Sequence, residues 1–258
     1  MISYCVAAYR PAYTRLLVED LARKTTTDWE ALVWLNVDDP DCEAWLRDRV
    51  RDGWPIRVVG RTPENIGMEA YYALFQAARG ELVAQIDDDV VMVSPGIAET
   101  ARAIFDRFPR VRQLTADVWQ DAYTTGARPP MSAYRILDRE WGLYDGPIDG
   151  WFSVYHRSVL PLLPRPAPAR YFPLGGLTQQ RLRTAGLRGV LCTRFKVFHV
   201  IGPQYAAYFG MLDFEIEKYR RLGRHDIVGW YERERGTLPP REVLDAQVRR
   251  IAGALGRG

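Results

Sequence analysis

Three consecutive carboxylates, Asp87-Asp88-Asp89, follow the apolar run Leu82 to Ile86 and precede Val90 to Val93. The run reads as a buried strand. On an extended backbone alternate side chains share a face, so Asp87 and Asp89 point together and Asp88 points away. Two ionised carboxylates held that close repel each other, and one tends to stay protonated. A divalent cation removes the conflict, and oxygen ligands suit Mg2+ or Mn2+. Strand C-terminal ends are also where open α/β sheets keep their ligands. The bland alternative is a solvated acidic turn leading to a helix that starts at Ser94 and Pro95. His199, between Phe198 and Val200, is a further group able to bind a metal, although a lone histidine among apolar residues also suits a core.

The elements around the triplet follow from pattern. Ile2 to Tyr9 is a β-rich run ended by Arg10-Pro11, and Ala12 to Lys24 carries Leu16, Leu17 and Leu21 at helical spacing. Glu30 to Val37 reads as the second strand, closed by the acidic turn Asp38-Asp39-Pro40-Asp41. A helix from Cys42 to Arg51, a strand from Ile56 to Val59, and a helix from Met68 to Arg79 come next, so the strand carrying the triplet is the fourth. Such alternation, with crossovers long enough for parallel pairing, predicts a doubly wound, mostly parallel α/β sheet of nucleotide-binding type.

Past Ser94 the pattern changes. A helix is expected to Phe108, strands over Val111 to Val118 and Gly150 to His156, and loops with one or two short strands between them. Pro161, Pro164, Pro166, Pro168 and Pro173 are too dense for a helix or central strand and predict a loop, over a cleft or as a plain crossover. A short helix from Leu177 to Thr184, a long strand from Val190 to Val200, and helices from Gln204 onward complete the chain. The expected division is 1–110, a nucleotide-binding half, 111–203, a smaller acceptor-side half, and 204–258, a helical tail, all in one domain.

With 258 residues, 47% hydrophobic and 26% charged, the chain can bury a substantial core. The net charge of +3, from 35 basic and 32 acidic residues, gathers into no long run and gives little support to a polyanionic partner. Lysine occurs only at Lys24, Lys196 and Lys218. Cys5, Cys42 and Cys192 stand far apart in no metal-ligand spacing, which points to a cytoplasmic setting without disulfides. No apolar stretch approaches the length of a membrane span.

Four motifs stand in order at strand ends: Ala7-Ala8-Tyr9, Asp38-Asp39, Asn65-Ile66-Gly67 and Asp87-Asp88-Asp89. In that order they resemble the GT-A-fold nucleotide-sugar glycosyltransferases, and most closely the large family-2-like group that includes the bacterial spore-coat polysaccharide glycosyltransferase. The resemblance covers residues 2 to 100 well and 149 to 201 loosely. It implies transfer of a sugar from a nucleotide-diphosphate donor, UDP-linked in preference, with Mn2+ or Mg2+ as cofactor. Ala7 and Tyr9 would cradle the base, Tyr9 offering a π-face for stacking. Asp39, or Asp38 beside it, would accept the uracil imide N–H, although Asp38 also suits a helix cap. Asn65 would fix base or ribose, and Gly67 would let the backbone approach closely. Asp89 would ligate the metal directly, Asp87 would hold the ribose or a metal-bound water, and Asp88 stands between them among the nucleotide-binding positions. The same likeness assigns His199 to the metal shell.

One departure matters. Where inverting relatives carry an acidic pair before a helix, this chain reads Leu174-Gly175-Gly176-Leu177. An acceptor hydroxyl must lose its proton as it attacks, so another carboxylate would have to serve. Asp149, ahead of Gly150 and the aromatic run from Trp151, is the substitute the sequence offers, its alternative being a turn aspartate. A retaining reaction needs no such base. Trp119, Tyr123, Trp141, Tyr144, Trp151 and Phe152 would suit an acceptor sugar or a core equally. The acceptor class stays open among saccharide, small molecule, lipid-linked sugar, peptide and modified nucleic-acid base. A non-catalytic nucleotide-sugar binder is the rival class, and a nucleotidyltransferase a weaker one, because Ala7 to Pro11 contains no glycine for a phosphate loop.

Overall fold

A computed structural model describes residues 1–124, 128–165 and 174–256. The first strand, β1 (Ile2–Ala8), is buried at all seven positions, as a strand covered on both faces must be. Helix α1 (Pro11–Lys24) starts with proline in its first turn and ends with Arg23 and Lys24 against the carbonyl end of its dipole. β2 (Trp29–Leu35) stops short of Val37, because Asp39 already caps α2 (Pro40–Arg51), its Oδ1 accepting the Cys42 N–H at 2.6 Å. β3 (Ile56–Arg61), α3 (Met68–Ala77) and β4 (Leu82–Asp87) complete the expected alternation.

The triplet then does something the pattern did not show. Asp88 and Asp89 form a tight turn into a separate strand, β5 (Val90–Val93). Ser94 does not cap a helix. Its N–H donates to the Lys196 carbonyl at 2.9 Å and its hydroxyl accepts the Lys196 N–H at 2.9 Å, continuing β5 as a sheet edge. Helix α4 (Ile97–Arg107) starts later, behind Gly96 in the left-handed region.

β6 (Val111–Val118), the short β7 (Arg135–Asp138) and β8 (Leu143–Asp145), and β9 (Phe152–His156) follow. Short 3-10 turns lie at Met131–Ala133 and Arg157–Leu162, the second containing Pro161. Pro166, Pro168 and Pro173 of the expected loop lie outside the described residues. α5 (Leu174–Thr184) takes Gly175 and Gly176 into its first turn, and β10 (Arg188–His199) is the longest strand described. The tail is α6 (Pro203–Tyr208), α7 (Leu212–Arg221), α8 (His225–Arg235) and α9 (Arg241–Gly256). No helix among the described residues is long and apolar enough to cross a membrane.

The strands form one mixed sheet in the order β3-β2-β1-β4-β9-β6-β10-β8-β7, with β5 pairing β10. β3, β2, β1 and β4 are mutually parallel, and β6 and β10 run parallel beyond the antiparallel β9. Helices cover both faces. α1 and α4 pack on one through Leu17, Leu21, Ile104 and Phe105, and α3 on the other through Tyr71, Leu74 and Phe75. One core cluster draws on residues from Ile2 to Val197, so the sequence boundary near residue 110 falls inside a shared core. The register Ala7↔Asp87 sets the end of β1 beside the triplet, at the C-terminal edge where β1 lies between β2 and β4. That is the crevice where a doubly wound sheet takes a ligand.

Candidate functional site

The three carboxylates diverge at the β4–β5 turn. Asp88 is 3% exposed and faces the turn after β1. Its Oδ2 accepts the N–H groups of Tyr9 at 2.6 Å and Arg10 at 2.5 Å, and its Oδ1 meets Arg10 Nη1 at 2.5 Å. These bonds brace the β1–α1 turn, and Asp88, expected among the nucleotide-binding positions, still borders the cleft. Asp89 lies on the cleft side, with Oδ1 accepting from His199 Nε2 at 2.9 Å and Oδ2 facing Arg10 Nη2 at 3.0 Å. Asp87 Oδ1 accepts from the Tyr71 hydroxyl at 3.3 Å, a hydroxyl that also reaches the Ile86 carbonyl at 2.8 Å.

Antiparallel pairing of β10 with β5 sets His199 opposite Val90, and a register shift between Phe198 and His199 turns the ring toward the triplet. Asp87, Asp89 and His199 each offer a ligand atom within 4.8 Å of the others. His199 Nδ1 is buried without a hydrogen-bond partner among the described residues. Two carboxylates and an imidazole are a donor set that Mn2+ or Mg2+ accepts. Burial, then Asp89 and Asp149, push the Asp87 carboxyl up to about 7 against the pull of His199. Burial works the same way on Asp89, yet Arg10 and His199 hold it well below the usual carboxylate range. For His199 burial pulls the imidazole down, but Asp89 and Asp87 outweigh it and raise it. One carboxyl of the pair thus holds its proton near neutrality while the other is ionised.

The group opens into a cleft of about 790 Å3. Ala7, Tyr9, Asn65 and Gly67 line it together with Asp87, Asp88, Asp89, Asp149 and His199. The Tyr9 ring leans on Phe214 of α7, centroids 5.2 Å apart. Asn65 Oδ1 accepts the Gly67 N–H at 2.8 Å, and Gly67, at φ 59°, opens α3 in a conformation that disfavours a side chain. Asp38 and Asp39 do not line the cleft. Asp38 is exposed, and Asp39 is the α2 cap. Asn36 lines that wall instead, its Oδ1 accepting the Ile66 N–H at 3.2 Å.

Gly175 explains the missing acid. A Cβ on it would stand 1.9 Å from the Ile148 carbonyl oxygen, so the first turn of α5 lies directly on the backbone of residues 148–149. Asp149 remains exposed in the cleft, with Oδ1 accepting the Gly150 N–H at 2.8 Å. Of the six aromatics named from sequence, Trp151 alone is among the described cleft-lining residues. Phe152 is in the core, Trp141 packs on Phe108, and Tyr123 packs on Tyr205.

Several cleft residues carried no sequence signal. Arg10 was legible as a strand breaker, and its guanidinium is a hub between Asp88, Asp89 and Glu215. Lys218 and Tyr219 reach the cleft from α7, and Leu222 from its C-cap, more than a hundred residues after the triplet. Tyr71, Gln85 and Arg128 complete its walls. The rarity of lysine was the one available pointer to Lys218.

No protein-family model matches the chain, and no curated protein matches it in sequence. Solved structures do share its fold. TarS 1–349 from S. aureus, in complex with UDP-GlcNAc, aligns with a TM-score of 0.57 at 14% identity, over 82% of this chain and 63% of that one. The mannosyltransferase PcManGT from Pyrobaculum calidifontis, in complex with GDP-Man and Mn2+, aligns with a TM-score of 0.54 at 14% identity, over 86% of this chain and 61% of that one. GalNAc-T7 with UDP, GalNAc and Mn2+ gives a TM-score of 0.62 at 10% identity, over 81% of this chain and 47% of that one. The chain therefore spans less than two thirds of the length of each. At such identities the likeness is one of fold, and the fold is GT-A.

Proposed function

We propose that the chain is a metal-dependent glycosyltransferase that moves a sugar from a nucleotide-diphosphate sugar, a UDP-sugar in preference, to an acceptor. The observation that carries this is the Asp87, Asp89 and His199 group, set at the C-terminal edge of β4 and open to the 790 Å3 cleft. A cleft of that size suits a small-molecule ligand. The fold neighbours solved with UDP-GlcNAc, GDP-Man or UDP, two of them with Mn2+, support the donor class.

Each role falls to a residue of this chain. Tyr9, steadied by Phe214, presents a ring to the base, and Asn36 and Asn65 offer amide groups to its edge or to the ribose. Asp87, Asp89 and His199 would hold Mn2+ or Mg2+, which when bound offsets the charge that develops on a departing diphosphate. Asp149 takes the acceptor proton if the product is inverted.

Calorimetric titration of UDP with and without Mn2+ tests the reading. Mn2+-dependent UDP binding in the wild type, abolished in a folded Asp89→Ala, is the expected result. Normal UDP–Mn2+ binding by Asp89→Ala would refute the site. A non-catalytic nucleotide-sugar binder is the second reading, favoured by the absence of room for an acid at Gly175. Mn2+-stimulated hydrolysis of a UDP-sugar by the wild type decides for the enzyme.

A further inference from the structure

Helix α7 belongs to the tail, yet it forms a wall of the cleft. Glu215, Lys218, Tyr219 and Leu222 recur at the spacing of one helical face, and the last three line the cavity. Glu215, 5% exposed, holds two cations at once: its Oε1 meets Arg10 Nε at 2.5 Å and its Oε2 accepts from Lys218 Nζ. Through Arg10 the helix is tied to Asp88 and Asp89, so its cleft face is fixed relative to the triplet.

The cations of the cleft differ in how far their charge is used. Arg10 faces three carboxylates. Arg128 pairs with Asp117 Oδ1 at 2.6 Å, a carboxylate it shares with Lys196, and donates to the Pro129 carbonyl at 2.9 Å. The Lys218 ammonium has three N–H groups and, among the described residues, one carboxylate partner, which it shares with Arg10. Its other contact is the Tyr219 ring, 4.2 Å from Nζ. The Lys218 side chain is 11% exposed, and that exposure is to the cleft. A diphosphate entering a wall lined with carboxylates is best met by a cation with N–H groups to spare, and Lys218 is one.

We infer that Lys218 binds the diphosphate of the donor, making the tail helix α7 part of the donor site. This rests on the nucleotide-sugar reading above and names a binding contact that neither the triplet nor the motifs assign. Arg10 sets the helix in place and Lys218 makes the contact.

The test is titration of wild type, Lys218→Met and Lys218→Arg with UDP by calorimetry and with uridine by ligand-observed NMR, Mn2+ being present throughout. Uridine lacks the phosphates and reports the base and ribose contacts alone. Loss of a charged hydrogen bond is worth about 10- to 100-fold in affinity, so Lys218→Met should weaken UDP by that factor while uridine stays within about twofold. Lys218→Arg keeps the charge and recovers part of the loss. Glu217→Gln, on the exposed side of the helix, changes neither. Equal UDP affinity in the wild type and Lys218→Met overturns the inference, and so does an equal loss of UDP and uridine, the result of a purely structural role. A wild type that binds neither compound overturns the underlying reading as well. Should Lys218→Met fail to fold, Lys218→Gln answers the same question.

Discussion

His199 Nε2 stands 2.9 Å from Asp89 Oδ1, joining residues 110 apart in the chain. The contact is made by β10 turning back along β5, with Val200 N–H also donating to the Asp89 carbonyl at 2.8 Å. A core histidine has no need of a carboxylate partner, and this one has such a partner and lines the cleft. Substituting Gln preserves a polar group of similar reach and removes the imidazole. His199→Gln should weaken Mn2+ by at least tenfold, about 1.4 kcal/mol, and weaken metal-free nucleotide binding much less. Unchanged Mn2+ affinity in a folded His199→Gln would return the residue to the core.

The raised carboxyl of Asp87 makes metal affinity depend on pH. Its folded value of about 7 lies above the ordinary 3.8, so the protonated form is the one folding favours. In the metal-free protein this group's contribution to stability is present below about pH 4 and is lost as pH rises toward 7. Metal binding runs the other way, because the ligand must be deprotonated. Release of one proton with that pKa predicts Mn2+ affinity about tenfold weaker at pH 6 than at pH 8, with His199 adding to the slope. Mn2+ affinity that is flat from pH 6 to 8 would contradict the assignment of Asp87 to the metal.

Gly175 and Gly176 are neighbours in one helical turn with opposite surroundings. A Cβ at Gly175 meets the Ile148 carbonyl oxygen at 1.9 Å, whereas one at Gly176 meets nothing within 4 Å. Backbone cannot step aside as a flexible side chain does, so Gly175→Ala should cost about 1–3 kcal/mol in chemical denaturation. Gly176→Ala, in open space within a helix, should gain about 0.5–1 kcal/mol. A neutral Gly175→Ala would show that α5 is not seated on residues 148–149.

Much of this was readable from residue pattern, and the misreadings have physical causes. Period-two spacing grouped Asp87 with Asp89, and the two do share a site with His199, although Asp88 and Asp89 lie in a turn and both reach Arg10. The same spacing said nothing of the turn that separates β4 from β5. Ser94-Pro95 carries a helix-start signal, but pairing with Lys196 across the sheet overrides it. The cap expected as an alternative at Asp38 falls one residue later, where Asp39 before Pro40 accepts the Cys42 N–H. The hub role of Arg10 was illegible because its partner Glu215 lies 205 residues along the chain, and the role of Lys218 because only the fold brings its helix to the cleft.

The last prediction concerns the acceptor's proton. With α5 resting on residues 148–149, no side chain at Gly175 can reach an acceptor, and neither glycine can move a proton. Asp149 lies on the same stretch of backbone, exposed in the cleft, close enough to Asp87 to raise its carboxyl. Its Oδ1 accepts the Gly150 N–H, which fixes the carboxylate ahead of Trp151. An inverting transfer needs a carboxylate within about 2.6–3.2 Å of the attacking hydroxyl, and losing a general base typically lowers turnover about 10²–10⁴-fold. Asp149→Asn keeps the shape and removes the basicity, so turnover should fall by that range while UDP affinity holds. The configuration of the product, read by NMR against that of the donor, decides whether the premise applies. An inverted product from a fully active Asp149→Asn protein refutes the assignment, and a retained product shows that the transfer needs no base at this position.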